Sequence, residues 1–266
     1  SAAAAASAMA SAPRAPGRLR QSVARWCFAS TPIDALCRMA SDAGLMGIDL
    51  LGPDEWAVPA RHGLRCTMAN SFHTIALGFN RPDQHDRLVA EGSAYLPRVA
   101  AAGIERVVVF SGNRAGLSDR EGVANCIAGL ARLAPIAERH GVTLCLEMLN
   151  SRVDHRDYQA DTTAFGVAVA RGVGSPRVRL LYDIYHMQVM EGNVIATIRD
   201  ALPWIAHVHT AGVPGRHELD ATQELNYPAI ARALADAGYA GVVAHEFMPV
   251  GDGAAALRAA AAACTV

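Results

Sequence analysis

Four apolar runs in the second half of the chain each carry an acid or an imidazole. "LCLEMLN" holds Glu147, "LLYDIYHMQ" holds Asp183 and His186, "IAHVHTA" holds His207 and His209, and "AHEF" holds Glu246. A carboxylate inside an apolar strand is costly to bury unless it is paired, protonated or bound to a cation. Three carboxylates facing one another repel unless a divalent ion neutralises them. Glu147, Asp183, His209 and Glu246 therefore predict a site of three oxygen donors and one nitrogen for one divalent metal ion. Its oxygen-rich character favours Mn2+ or Mg2+ over a structural Zn2+, although Co2+ or Zn2+ also suit it. His207 shares a face with His209 but lies two residues deeper, where a hydrogen-bonded core histidine is expected. A Gly/Pro turn then leads to Arg216, whose guanidinium fork suits a substrate carboxylate or a pair of hydroxyls. His217 and Glu224 on the same loop, and His73 after the third apolar run, are secondary candidates for substrate binding.

These residues need a scaffold that brings the ends of successive strands together. From Arg20 onward, eight short β-branched runs alternate with longer amphipathic stretches: "SVARWCF", "GIDLL", "LRCTMAN", "RVVVF", "VTLCLEML", "VRLLYDIY", "IAHVHTA" and "GVVAHEF". Ser118 to Glu121 reads as a capping box, with Val123, Ile127, Leu130 and Ala137 marking one helical face. Thr31 before Pro32, and Asn226 before Tyr227 and Pro228, open two further helices. Gly44, Gly103, Gly141 and Gly238 each close a helix and lead directly into a strand. Repeated strand–helix units predict a (β/α)8 barrel, with functional side chains at the C-terminal strand ends. A doubly wound open sheet is disfavoured because no G-x-G-x-x-G follows the first strand.

Composition agrees with one such domain. The chain has 266 residues, 52% hydrophobic and 18% charged, with a net charge of -1. That balance argues against a nucleic-acid partner held by a broad basic surface. No uninterrupted apolar run approaches the ~20 residues of a membrane span. The six cysteines are scattered without a C-x-x-C pair, so they read as small apolar packing residues. Residues 1–19 are expected to be a low-complexity leader, with the single barrel domain over 20–266. The leader's small-x-small patterns match an export-signal remnant and a periplasmic protein. A plain disordered or added leader would instead leave the protein cytoplasmic. Alanine-rich helices permit close packing in a homo-oligomer.

The segments "LEMLN", "YDIYHMQ", "VPGRHE" and "ELNYPAI" resemble the hydroxypyruvate isomerase family. That family lies within the xylose-isomerase-like TIM barrels, which also include ketose 3-epimerases. The resemblance runs from about Arg20 over nearly the whole chain and implies the same (β/α)8 fold. By it, Glu147 and Glu246 match the two catalytic glutamates, Asp183 matches a shared metal ligand, and His186 and Arg216 match substrate contacts. His209 looks like the epimerases' histidine ligand, where hydroxypyruvate isomerases carry glutamine. The segment "GVPGRHELDATQELNY" also departs from the family's usual turn. The implied activity is metal-dependent isomerisation of a small hydroxy-carbonyl compound by ene-diolate proton transfer, with hydroxypyruvate and tartronate semialdehyde as the family's pair. A ketose 3-epimerase is the nearest alternative. A metal-dependent hydrolase or endonuclease of the same barrel type would need a multi-zinc cluster with more histidines and a basic groove. A non-catalytic sugar-binding barrel would have no use for both glutamates.

Overall fold

The structure is a computed structural model that describes residues 17–266. Eight parallel strands form a closed barrel in sequence order: β1 (Arg20–Ala24), β2 (Gly47–Leu51), β3 (Arg65–Ala69), β4 (Arg106–Val109), β5 (Thr143–Glu147), β6 (Val178–Asp183), β7 (Ile205–Thr210) and β8 (Val242–His245). Closure is made by β8 pairing with β1, Ser22 opposite Ala244. The helices outside are α1 (Ile33–Asp42), α2 (His85–Ala101), α3 (Asp119–His140), α4 (Thr163–Val173), α5 (Ile184–Met190), α6 (Val194–Ala201), α7 (Tyr227–Asp236) and α8 (Gly253–Ala263). Every residue of β2 and β5 is buried. Strands covered on both faces explain why these segments read as continuous apolar runs rather than alternating ones.

The expected helix ends form where capping chemistry allows. Ser118 Oγ accepts from the Glu121 amide, and Glu121 Oε2 accepts from the Ser118 amide at 2.9 Å, which makes the capping box of α3. Asn226 caps α7 through the Ala229 amide. Thr31 does not cap α1, because the N-cap position is Pro32 and no side chain bonds there. Gly141 ends α3 at φ +67, and Gly44, Gly103 and Gly238 take the same left-handed turn before their strands.

Three departures bear on the site. The first strand stops at Ala24, and Trp26–Phe28 form a 3-10 turn held by Arg25 Nη1, which donates to the carbonyls of Phe28 and Thr31. The sixth run turns into α5 at Ile184, with Asp183 capping the new helix through the His186 amide. The β2–β3 connection holds only a 3-10 segment, Pro59–His62, in place of a helix. At the other end of the chain, Leu19 is buried and the Arg18 amide bonds the Val266 carbonyl at 3.0 Å. The leader expected over residues 1–19 otherwise lies outside the described residues. Among those residues, no helix is long and apolar enough to cross a membrane.

Candidate active site

The four residues of the predicted metal site meet at one rim of the barrel. Glu147 ends β5, Asp183 ends β6, His209 is next to last in β7, and Glu246 directly follows β8. Strand register places Asp183 opposite His209, and His209 opposite Ala244. One ligand-type atom from each of the four lies within 4.8 Å of all the others. His209 Nδ1 is 3.0 Å from Glu246 Oε2, 3.5 Å from Glu147 Oε1 and 3.8 Å from Asp183 Oδ2. Arg216 Nη2 completes the group, 2.6 Å from Glu246 Oε2 and 3.6 Å from Asp183 Oδ2.

The carboxylates differ in how their charge is met. Burial pushes Asp183 up to about 8, and the neighbouring Glu246 and Glu147 outweigh part of the help from Arg216 and His209. Burial raises Glu147 as well, with the charge of Glu246 adding to it. Burial would also raise Glu246, but His209, Arg216 and the Trp26 indole hold it well below the usual carboxylate range. Each Glu246 oxygen has a strong donor: Oε1 accepts from Trp26 Nε1 at 2.6 Å, and Oε2 faces Arg216 and His209. Glu147 Oε1, by contrast, is buried without a hydrogen-bond partner. A buried, unsatisfied carboxylate oxygen among two more acids and a histidine is a donor set that suits a hard divalent cation.

A long segment after β5 sets the neighbouring histidine. Asn150 Oδ1 accepts the amides of Val153 and Asp154, while the Asn150 amide donates to His186 Nδ1 at 3.1 Å. With Nδ1 accepting, the neutral ring carries its proton on Nε2. Burial, reinforced by the Arg216 charge, keeps His186 neutral. Its Nε2 is buried, has no hydrogen-bond partner and lies 3.8 Å from Asp183 Oδ2. The same segment is pinned by Tyr158, whose hydroxyl donates to the Glu147 carbonyl at 2.7 Å and accepts from the Ser111 amide.

A cavity of about 530 Å3 opens over the carboxylates. Glu147, Glu246 and Arg216 form its polar floor, and Leu50, Val108, Phe110 and Leu149 are among its apolar walls. Of the residues expected to bind substrate, Arg216 and His73 line this cavity, whereas His186 is fully buried beside the metal-type cluster. His73 has both ring nitrogens committed to the backbone: Nδ1 to the Thr74 carbonyl, and Nε2 to the Phe110 amide. Two expectations need correction. His217 is turned to the Met248 carbonyl at 2.9 Å, and Glu224 is exposed and bonded to Gln188, so neither reaches the cavity. Arg216, at φ +61, is the residue of this loop whose side chain is buried, held by Glu246.

Sequence reading missed several participants. Trp26 falls within the first apolar run, yet it stands at the cavity mouth, bonded to Glu246 and 5.1 Å from the Arg216 guanidinium. Tyr185 covers the other side of that cation at 5.2 Å. His155, from the segment after β5, lines the cavity and packs on His186 with ring centroids 5.4 Å apart. Asp49, in β2, is fully buried and bonds both His207 and His209. Position after the C-terminal ends of β1 and β5 is the signal that could have identified Trp26 and His155, whereas Asp49, in the middle of β2, is marked only as an acid in an apolar run.

Residues 57–264 match the family model described as xylose isomerase-like TIM barrel. The chain is 32% identical over 233 residues to a human protein named putative hydroxypyruvate isomerase, spanning 85% of this chain and 78% of that one. A 2-oxo-tetronate isomerase of Pectobacterium atrosepticum is 27% identical, over 84% of this chain and 89% of its own. Among solved structures, one titled AP endonuclease, family 2, from Brucella melitensis superposes with a TM-score of 0.80. It shares 25% identity, with 90% of this chain and 97% of that one covered. With its closed eight-stranded barrel, its match to the family model and its 32% identity to the human protein, the chain belongs to the hydroxypyruvate isomerase family within the xylose isomerase-like TIM barrels.

Proposed function

We propose that this enzyme is a metal-dependent isomerase that moves a proton between adjacent carbons of a small, acidic hydroxy-carbonyl compound, with hydroxypyruvate as the first substrate to try. The observation that carries this reading is the contrast between its two glutamates: Glu147 keeps a buried oxygen free, while both oxygens of Glu246 are held by donors. Glu147, Asp183, His209 and Glu246 would hold one divalent ion, Mn2+ or Mg2+ by donor type. When bound, such an ion stabilises the negative charge that develops on the substrate oxygens.

The protein's own groups supply the remaining chemistry. Glu147, the more basic carboxylate, removes the C–H proton and returns it to the neighbouring carbon. Glu246 stays ionised and fixed, balancing the charge of Arg216. Arg216 is preorganised between Trp26 and Tyr185, and its Nε–H is buried without a partner. A substrate carboxylate at that fork would satisfy it. The neutral Nε2–H of His186 can donate to a substrate oxygen beside Asp183. Apolar walls and the aromatic rim limit the water around the carbanion-like intermediate.

A ketose 3-epimerase is the second reading, favoured by His209 as the nitrogen ligand and by a cavity large enough for a sugar. Epimerisation needs a base on each face of one carbon, which would require Glu246 to give up its donors. Proton NMR in deuterated water separates the readings. Hydroxypyruvate should convert to tartronate semialdehyde, with solvent deuterium or the original proton on the receiving carbon. Deuterium entering C3 of a ketose, with hydroxypyruvate left untouched, would overturn the first reading in favour of the second.

A further inference from the structure

Beneath the carboxylate cluster lies a second buried polar layer that the proposed chemistry does not use. Asp49 Oδ2 is 2.9 Å from His209 Nε2 and 3.1 Å from His207 Nε2. Asp49 Oδ1 accepts from Thr67 Oγ1 at 2.6 Å, and Thr67 in turn lies 3.0 Å from Ser22 Oγ. Asp49 and both histidines are fully shielded from solvent. The two imidazoles meet edge to face with centroids 5.2 Å apart.

The geometry points to Asp49 as a positioning residue that holds a proton of His209 on Nε2, so that Nδ1, turned to the three carboxylates above, is the nitrogen left to serve a metal. This inference rests on the metal-dependent reading of the upper cluster. A carboxylate accepts only, so each imidazole facing Oδ2 must donate from Nε2. For His209 that leaves Nδ1, the atom 3.0–3.8 Å from Glu246, Glu147 and Asp183, as the nitrogen that would release its proton from Glu246 and offer its lone pair when a metal binds. His207 and Thr67 then have a shared task. They supply further donors to Asp49, which hold its carboxylate plane and satisfy its charge without water. A carboxylate behind a ligating histidine fixes the ring's tautomer and raises its basicity, and losing it weakens metal binding roughly 10–100-fold. An amide in its place can offer its NH2 instead and select the opposite tautomer, as happens when the buried aspartate of a serine-protease triad becomes asparagine.

The test combines metal titration with histidine NMR. Wild-type protein and the Asp49→Asn variant are titrated with Mn2+, and 15N-histidine spectra are recorded with and without Mg2+. The expected result is a His209 Nε2 that carries a proton in the wild type in both states, and a Mn2+ Kd raised roughly 10–100-fold in the variant. His207→Gln keeps a donor toward Asp49 and should hold the wild-type Kd within about threefold. A bare Nε2 on wild-type His209 would overturn the proposal whether or not Asp49→Asn folds. So would an unchanged Kd in a folded Asp49→Asn protein. Two Mn2+ ions per chain, one of them lost in His207→Gln, would make Asp49 a ligand and equally reject a positioning role. If wild-type protein binds no Mn2+, the metal-dependent reading fails by itself, and the Nε2 proton still decides the role of Asp49.

Discussion

The two halves of the barrel do different work. Strands β5 to β8 each bring an acid or an imidazole to the rim, and these four groups face one another across less than 5 Å. Strands β1 to β4 bring Trp26, Leu50, His73, Val108 and Phe110, a wall of rings and branched chains whose further polar members, Asn70, Ser71 and Thr74, are uncharged. The exception is Asp49, which crosses beneath the cavity to serve β7. One half therefore concentrates charge, and the other gives shape and keeps that charge dry. Low local polarity strengthens each electrostatic contact in the cluster, so the second half acts on the chemistry without touching the proton.

The contrast breaks most sharply at Glu147. Glu147→Gln should lower kcat by roughly 10²–10⁴-fold at matched metal occupancy, because it removes the proton carrier while nearly preserving volume. Glu246→Gln should cost less, since its oxygens serve as anchors for Arg216 and Trp26. Rates measured at saturating Mn2+ check the order, and equal losses in the two variants would favour a two-base epimerase. Arg216→Ala should raise KM for acidic substrates by roughly 10–100-fold with metal content intact, the pattern of lost substrate binding. A KM that stays at the wild-type value for every acidic substrate would leave Arg216 as a partner of Glu246 alone.

A smaller effect is expected across the boundary between the halves. Trp26→Phe keeps a ring over Arg216 but removes the indole donor to Glu246 Oε1. Hydrogen bonds to charged groups contribute about 1.5–3 kcal/mol, an upper bound of roughly 10–100-fold, and because Glu246 keeps its other donors only the lower end, about tenfold in kcat/KM, is expected. Loss confined to KM for large substrates would show instead that Trp26 only shapes the mouth.

The charged half was also the legible one. Glu147, Asp183, His209 and Glu246 stand out because a carboxylate or imidazole in an apolar strand violates the strand's own pattern. Trp26, Leu50 and Phe110 violate nothing: an aromatic or branched residue in a β-run is what a strand should contain. Trp26 was hidden further by the early end of β1, which depends on Arg25 bonding carbonyls three and six residues ahead. Asp49 does break its run, "GIDLL", but its partners come from β7, about 160 residues away, and only barrel closure brings them together. The loop after β7 misled for the opposite reason. Arg216, His217 and Glu224 share one polar turn, and which of them enters depends on contacts that the turn's sequence does not show: Arg216 to Glu246, His217 to the Met248 carbonyl and Glu224 to Gln188.

The smallest expected effect on activity comes from His73, the one titratable residue of the shape-giving wall. Its ring is buried edge-on among Phe72, Phe79 and Phe110, at centroid distances of 5.0–5.8 Å. Nδ1–H donates to the Thr74 carbonyl and Nε2 accepts from the Phe110 amide, so the neutral ring is fully used. Burial lowers its pKa to about 4, from the ordinary value of 6.5. Between those values the unfolded chain takes up the proton and the folded protein does not. The contribution of neutral His73 is therefore complete above about pH 6.5, falls as pH drops toward 4, and changes little below that. The span is on the order of 3 kcal/mol, from about 1.4 kcal/mol for each pH unit. His73→Gln retains one donor and one acceptor for the same backbone groups but does not titrate. Its kcat should stay within about threefold of wild type at pH 7.5, because neither His73 nitrogen is free for substrate. In urea unfolding, the stability difference between wild type and His73→Gln should be constant above pH 7 and shift toward the variant as pH falls to 4.5. Parallel stability curves across that range would show that His73 does not carry the penalty. A large loss of kcat with stability unchanged would move His73 from the wall into the chemistry.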